Sequence, residues 1–464
     1  MANDARQLTP LEWLMPRAYV RQIFAFPSSN ESVAKSLQDG LTGVIEEVPY
    51  LLSGVVSEDF PEGSVSLIEP YQSLDDLFSW QDLSPSIGYA RMKEDKFPPA
   101  AFNVPELIPP DTIPPYPTPA PVFRARLSLV KGGFLLCIAA HHNTTDITGF
   151  GALLKLWASR CRAGSSESTG FDHKWLDRSA LFQSEKRSSI SVPELLHIRE
   201  PNEPTRARRT GEGALEFKTG VFFFPWRTLQ EIKQATNDRI TALEPRSWVS
   251  TGDILTALLW SAVIEAESSA SSSGLQGNST IGLPVNFRSR LSISLPKDYM
   301  GAAFVMTAAT ASLKDLKAFP GTDGSEDAET KVAAMNALSR IALEIRKSIT
   351  SVDEPAIRKV FEYIDSQADI RSIILGPRHD GISLVSWADQ GVYELDWGEV
   401  IGRCEAVRLP KLMYKRYPII QPRIPEMGEG EGGFEVIVSF DESTFRRFER
   451  ARPIARFAKL RCAS

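Results

Sequence analysis

Phe134-Leu135-Leu136-Cys137-Ile138-Ala139-Ala140-His141-His142-Asn143-Thr144-Thr145-Asp146-Ile147-Thr148-Gly149 opens as an unbroken apolar run and closes on two histidines and an aspartate. An apolar run of this length, without alternation, reads as a buried strand. Just before it, residues 122–130 (VFRARLSLV) alternate with the period of two of a half-buried strand, and Lys131-Gly132-Gly133 reads as the hairpin turn between the two. Beyond Asp146, residues 150–158 (FGALLKLWA) read as a helix. The chain therefore passes from a buried strand through a short polar loop into a helix, and the loop begins at the histidine pair. Strand ends are where a rigid scaffold presents reactive side chains.

The chain holds only five histidines, and two of them are adjacent here. A side chain that titrates near neutrality suits removal of a proton from a hydroxyl, which makes His142 the candidate general base. Asp146, four residues on, admits three readings. It orients the histidine, it organises the loop through a basic partner, or it caps the next helix. The plain alternative for the His pair is satisfaction by backbone hydrogen bonds. No serine or cysteine sits in a nucleophile elbow, so a covalent intermediate is not required.

Outward from this centre, 464 residues exceed what one hydrophobic core organises. Two lobes are expected: residues 1–195 with the histidine motif, a polar crossover linker at 196–215, and residues 216–464. In the first lobe, residues 20–26 read as a strand and 31–41 as an amphipathic helix with Ser32 as its cap. Ten prolines between 98 and 121 forbid a helix or a central strand and suggest an extended surface segment. Residues 163–170, 267–280 and 320–328 read as loops. In the second lobe a strand is expected at 220–224, a helix after Pro225, a helix at 254–265 behind the capping sequence Ser250-Thr251-Gly252-Asp253, and a strand at 433–440 leading into a helix capped by Asp441.

A net charge of -6 argues against nucleic acid as the partner. The four cysteines are dispersed and suggest neither a zinc site nor a disulfide framework. The opening MANDARQLTP is no secretory signal, and no apolar run approaches the ~20 residues that span a bilayer. A cytoplasmic monomer, without membrane insertion or a bound metal, is the expectation.

Three segments in fixed order carry a family resemblance. His141-His142-Asn143-Thr144-Thr145-Asp146-Ile147-Thr148-Gly149 resembles the His-His-x-x-x-Asp-Gly-x-Gly motif of the BAHD acyltransferases. Val285-Asn286-Phe287-Arg288-Ser289-Arg290, followed by Leu295-Pro296-Lys297-Asp298-Tyr299-Met300-Gly301, is similar to their Val-Asp-x-Arg-x-Arg and Leu-Pro-x-x-Tyr-x-Gly segments. Ser386-Trp387 and Asp396-Trp397-Gly398 are similar to their Ser-Trp and Asp-Phe-Gly-Trp-Gly segments. The closing Gly432-Gly433-Phe434-Glu435-Val436 matches as well, and Leu8-Thr9-Pro10-Leu11-Glu12 with Met15-Pro16 resembles the fungal, trichothecene 3-O-acetyltransferase-like branch.

The resemblance implies an α/β protein with the two-lobed chloramphenicol acetyltransferase-like (BAHD) fold: mixed β-sheets, flanking helices and a channel between the lobes. It implies an acyl-CoA-dependent acyltransferase, with acetyl-CoA as co-substrate rather than a tightly bound cofactor and a secondary-metabolite alcohol (less readily an amine) as acceptor. His142 would be the base in a ternary complex. Asp146 would pair with Arg288 to hold the loop, and Asp396, Trp397 and Gly398 would shape a distant loop tied to the cofactor. Asn143, Trp387 and His141 are candidates for the pocket or for stabilising the oxyanion. Lys233, Arg239, Arg288 and Arg290 are candidates to meet a coenzyme A phosphate. Two departures stand out: Ile147 where the family has glycine, and Glu399-Val400 where its last motif continues. They keep two alternatives open, a CoA-independent cyclase or isomerase on the same fold and a non-enzymatic binding protein. A free-standing condensation domain shares the histidine motif but does not account for Asp396-Trp397-Gly398.

Overall fold

The computed structural model describes residues 7–163, 170–182, 191–200, 217–268, 277–319, 327–379, 381–409, 414–426 and 431–464. The strand Gly133–His141 is the centre of the first lobe, and all nine of its residues are buried. It pairs antiparallel with Tyr19–Phe26 on one side and with Phe123–Val130 on the other. Alternate side chains serve two cores. Phe134, Leu136, Ile138 and Ala140 face a core with the helices Val33–Glu47 and Ile147–Ala163, whereas Leu135 and Cys137 face Tyr89, Met92, Phe102 and Leu107. Burial on both faces explains why this stretch lacks the alternation of its neighbours.

The proline-rich span is not the extended surface segment expected from its composition. It folds into three short 3-10 turns, Pro99–Phe102, Pro105–Leu107 and Pro110–Thr112, whose Phe102, Leu107 and Thr112 are buried. Proline suits the first position of each turn, where no N–H is needed. The helix expected at 31–41 runs from Val33 to Glu47, and Ser32 makes no side-chain capping bond.

The second lobe holds a five-stranded sheet in the order Val385–Ser386, Ile419–Ile420, Gly433–Asp441, Phe217–Pro225 and Lys459–Ala463. A second sheet joins Phe304–Ser312, Asn278–Asn286 and Ile382–Ser383. The helix Thr251–Glu267 is buried over nearly its whole circumference, as its uniformly apolar sequence demands. Ser250 and Asp253 form the expected capping box, and Asp441 caps Glu442–Arg450 by accepting from the Thr444 N–H.

Part of the expected linker at 196–215 is ordered structure. Leu196–Ile198 is a strand paired with Ile373–Leu375, so the linker does not begin there, and residues 201–216 lie outside the described residues. Most of the loops expected at 163–170, 267–280 and 320–328 lie outside them too. Late in the chain, Ala406–Arg408 adds to the first sheet beside Tyr19–Phe26, and the paired amides of Gln22 and Gln390 exchange hydrogen bonds at 2.9 and 2.8 Å. Arg408 in turn reaches the five-stranded sheet of the second lobe, where its guanidinium grips the buried Glu435 carboxylate at 2.6 and 3.2 Å. The lobes are therefore laced together by exchanged chain as well as by contact. Among the described residues no helix is long and apolar enough to cross a membrane.

Candidate active site

His141 is the last residue of the central strand, and its neighbour His142 is the first residue beyond the sheet. Register places His141 opposite Tyr19, and the His142 N–H donates to the Ala18 carbonyl at 2.8 Å. Side chains alternate across a strand, so the two imidazoles part. The His141 ring points into the protein, 1 % exposed, with its Nδ1 accepting from the Asn143 N–H at 3.4 Å and its edge against Tyr19. The His142 ring is only half-buried and lies 6.0 Å, centroid to centroid, from the ring of Phe304 in the other lobe. His142 is thus the accessible member of the pair, set where the lobes face each other.

Burial, then the neighbouring His142 and Arg17, push the His141 imidazole down to about 3. It is neutral at physiological pH and puts no charge beside His142. It is also a packed structural group, which removes it from the candidates for the pocket. A linkage consequence follows. The unfolded chain takes up a proton near pH 6.5 that the folded chain refuses until about 3. Stability is full above the unfolded value and is lost as pH falls from about 6.5 toward 3. We expect the melting temperature to drop between about pH 7 and pH 5, and His141→Phe to flatten that slope. An unchanged slope in the variant would show that other groups set the pH response.

Two buried ion pairs grip the loop that follows. The first joins Asp146 to Arg288, which donates through both terminal nitrogens at 2.9 and 2.8 Å. Asp146 also accepts from the N–H groups of Gly149 and Ala303, each at 2.8 Å. Arg288 spends its remaining donors on the carbonyls of Tyr299 and Gly301. Burial pushes the Asp146 carboxyl up, but the guanidinium and the two backbone donors outweigh it and hold it below the ordinary carboxylate range. Of the three readings open for Asp146, the structure displays two: loop organisation through a basic partner, and capping of the helix Ile147–Ala163 through the Gly149 N–H. Arg288 is therefore committed, and it is not free to meet a phosphate.

The second pair was not foreseen. Glu12 and Arg178, both essentially inaccessible, meet at 3.0 Å. Glu12 also accepts from the Thr9 N–H and from the Ala302 N–H, and Arg178 reaches the Thr144 carbonyl at 3.4 Å. Asn143 completes the clamp, because its side-chain nitrogen donates to the carbonyls of Glu12 and Met15 at 2.6 and 3.2 Å. That donor is spent on the N-terminal segment, so Asn143 drops out as an oxyanion donor. Consecutive amides, Ala302 and Ala303, bind one carboxylate each, which makes the two pairs parts of one frame. The Thr9-Pro10-Leu11-Glu12 spacing carries the capping-box signal that the structure realises, whereas nothing around Arg178 marks it.

Ile147, where the motif resemblance has glycine, is simply the first residue of the helix Ile147–Ala163 and packs half-buried against the first core. The tight approach lies at Gly149 instead, where an added Cβ would come within 2.2 Å of the Met300 carbonyl oxygen and 2.6 Å of Thr145 Oγ1. Gly149→Ala must push the two lobes apart or distort the loop. An overpacking cost of about 1–3 kcal/mol and a fall in kcat are expected, measured by melting temperature and turnover. A variant of wild-type stability would place the close contact elsewhere.

The remaining candidates separate. Trp397, 2 % exposed, packs edge-on against Trp157 and Phe26 in the first lobe. The Asp396 carboxylate accepts from the Gly398 N–H at 3.0 Å, and Gly398 turns with φ +89 beside the end of the helix Ile147–Ala163. This segment anchors a turn, consistent with a shaping role. Trp387 packs half-buried with Val221, Leu409 and Ile419 in the second lobe. Arg290 donates to the carbonyls of Ile349 and Val352, and Arg239 binds Asn336, so both are engaged. His197 is half-buried with Nδ1 2.7 Å from the Gly376 carbonyl.

The comparisons agree with this geometry. The Transferase family model matches residues 103–452, about three quarters of the chain, and a model described as the trichothecene 3-O-acetyltransferase-like N-terminal domain matches residues 19–161. The chain is similar to the O-acetyltransferase ptmV of Penicillium ochrochloron, 26 % identical with 90 % of each chain covered, and to the O-acetyltransferase cpsE of Aspergillus campestris, 28 % identical over 69 % of this chain and 67 % of that one. The fold is that of F. sporotrichioides TRI101 in complex with coenzyme A and T-2, with a TM-score of 0.77, 22 % identity and 98 % and 99 % of the two chains covered. Vinorine synthase shares it at a TM-score of 0.57, with 15 % identity and 96 % and 92 % covered. A two-lobed architecture, a histidine at the lobe junction and a family match over most of the sequence converge: the chain belongs to the Transferase family and is an acyltransferase with the BAHD fold.

Proposed function

We propose that the protein transfers an acyl group, acetyl by preference, from coenzyme A to a hydroxyl of a secondary metabolite, with His142 as general base. The observation that carries this reading is the contrast within the histidine pair. His141 is sealed and neutral, whereas His142 is accessible at the lobe junction on a loop held by two buried ion pairs. Rigid support of this kind suits a base that must hold a fixed geometry. The O-acetyltransferase names of the relatives, and the coenzyme A in the TRI101 complex, support the donor.

The chemistry balances without a covalent enzyme intermediate. His142 accepts the hydroxyl proton as the acceptor oxygen attacks the thioester carbonyl. A carbon–oxygen bond forms, and the tetrahedral oxyanion needs a donor. Trp387, whose segment resembles the family's Ser-Trp, is our candidate for it. The carbon–sulfur bond then breaks, and the thiolate takes the proton from His142 to leave as free coenzyme A. Asp146, Arg288, Glu12, Arg178 and Asn143 position the loop and do not touch the reacting atoms.

The test is calorimetric titration with coenzyme A, followed by incubation with acetyl-CoA and polycyclic alcohols while product mass and thiol release are read. Binding of coenzyme A and acceptor-dependent thiol release are expected. An activity on an alcohol that proceeds without thioester, in a protein that does not bind coenzyme A, would favour the cyclase or isomerase alternative.

A further inference from the structure

A side-chain amide of the second lobe is fixed beside the base, where the end of a β-hairpin meets the catalytic loop. We infer that Asn286 is a catalytic residue, whose side-chain N–H donates to the oxyanion that forms on the thioester carbonyl. The inference rests on the transferase reading above and adds to it a group that touches the reacting atoms.

The strands Asn278–Asn286 and Phe304–Ser312 run antiparallel, and Asn286 lies directly opposite Phe304. Directly opposed side chains share one face of a sheet, with Cβ atoms about 4.5–5.5 Å apart. Phe304 is the residue whose ring meets the His142 imidazole at 6.0 Å. The backbone just before it is tied to the same loop, because the Ala303 N–H donates to Asp146 at 2.8 Å. Asn286 itself reaches the first turn of the helix that follows, where its Nδ2 donates to Thr148 Oγ1 at 3.2 Å. The hairpin end therefore meets residues 142, 146 and 148 in a row, and Asn286 stands in that row beside the base. Burial alternates along both strands. Leu283, Val285, Val305 and Thr307 face the interior, whereas Pro284, Asn286, Phe304 and Met306 lie on the accessible face. A ligand at His142 meets this accessible face.

Both ends of the amide are held. Oδ1 accepts from the Arg288 backbone N–H at 3.0 Å and from Arg288 Nη1 at 3.4 Å, while Nδ2 is fixed on Thr148. A primary amide carries a second N–H, and Asn286 is exposed at the junction. That second N–H has a set direction before substrate arrives, which is what preorganised stabilisation of a developing charge requires. The guanidinium on Oδ1 polarises the amide and strengthens its N–H as a donor. The segment that this stretch resembles has aspartate at this place. An aspartate keeps an acceptor for Arg288 but offers no N–H, so the donor belongs to this chain's own residue. The step needs no further co-reactant. As the acceptor oxygen bonds to the thioester carbon, the carbonyl electron pair moves to oxygen, and Asn286 and Trp387 donate hydrogen bonds to it without losing a proton. When the carbonyl re-forms, the carbon–sulfur bond breaks and the thiolate takes the proton held by His142.

The experiment is steady-state turnover, read by thiol release from acetyl-CoA with the polycyclic alcohol that wild type acetylates fastest, beside the melting temperature of each variant. Asn286→Ala should lower kcat about 10²-fold, the scale of one lost oxyanion donor. The KM for acetyl-CoA should stay within about threefold, because the contact forms in the transition state. Asn286→Asp should be slower still, since a carboxylate opposes the new negative charge. A merely structural asparagine predicts the opposite order, because aspartate keeps the tie to Arg288 and alanine loses it. Thr148→Val, which frees the amide, should also lower kcat, and Thr148→Ser should recover most of that loss. The inference is overturned if Asn286→Asp is as fast as Asn286→Ala or faster, if these variants change only the KM for acetyl-CoA, or if Thr148→Val turns over like wild type. Should Asn286→Ala fail to fold, Asn286→Asp against wild type decides, and a loss in kcat below about tenfold overturns the inference. A wild type that neither binds coenzyme A nor releases thiol removes the transferase reading and this inference with it. A wild type that turns over while Asn286→Asp keeps pace removes this inference alone.

Discussion

His142→Ala is expected to lower kcat by a factor of about 10²–10⁴, the range that a positioned general base supplies, and to leave the melting temperature close to that of wild type. The reason for the split lies in what the side chain does in the fold. The loop is fixed by backbone and neighbouring groups: the His142 N–H on Ala18, Asn143 on Glu12 and Met15, Asp146 on Arg288. The half-buried imidazole of His142 lies against the ring of Phe304 at the lobe junction. Removing it takes away a proton acceptor and leaves the frame. Coenzyme A affinity should persist, and steady-state kinetics with acetyl-CoA, beside a titration of the variant, reads both quantities. If wild type and variant turn over equally, the base is elsewhere. His141→Phe is the matched control, since its side chain is sealed in the protein and its effect should fall on stability more than on the chemical step.

Where the sequence speaks locally, the structure follows it. The strand ending at His141 is legible because burial on both faces forces an unbroken apolar run. The caps at Ser250 and Asp441 are legible because a short polar side chain must meet a free N–H three residues on. The pairing of Asp146 with Arg288, separated by 142 residues, is not in the local pattern at all. It came from the family resemblance, which supplied the partner that spacing alone left open among three readings. The second pair, Glu12 with Arg178, shows what neither route supplies. Its acid sits in a readable capping box, but its arginine lies in a stretch without periodicity, and only three-dimensional folding tells a buried arginine from a solvated one.

The misreadings have the same origin. Proline content argues correctly against a helix at 98–121, but composition does not say that successive turns bury Phe102 and Leu107 under the sheet. Nor does chain order say which late segments return to the first lobe, as Trp397 does against Phe26 and Trp157 and the strand Ala406–Arg408 does beside Tyr19–Phe26. Ile147 draws attention as a departure from a motif, whereas the contact that admits no side chain lies two residues on, at Gly149.

Arg288→Met should be the most damaging single change to the fold. The Asp146 carboxylate, 4 % exposed, would lose its counter-charge without gaining water, and an uncompensated buried charge costs about 3–5 kcal/mol. The carbonyls of Tyr299 and Gly301 would lose their donor as well. Arg288→Lys should fall between, because it keeps the charge and loses the two-pronged geometry. Loss of the exposed Lys35–Asp39 pair, by contrast, should cost at most about 1 kcal/mol, so Lys35→Met sets the baseline. Asp146→Asn in the Arg288→Met background should recover part of the loss, since it removes the stranded charge. It cannot recover all of it, because the Arg288 donors to the two carbonyls remain missing. Urea midpoints for the four variants order these effects. If Arg288→Met melts like Lys35→Met, the pair does not hold the lobes, and the frame around His142 would have to rest on Glu12 and Arg178 alone.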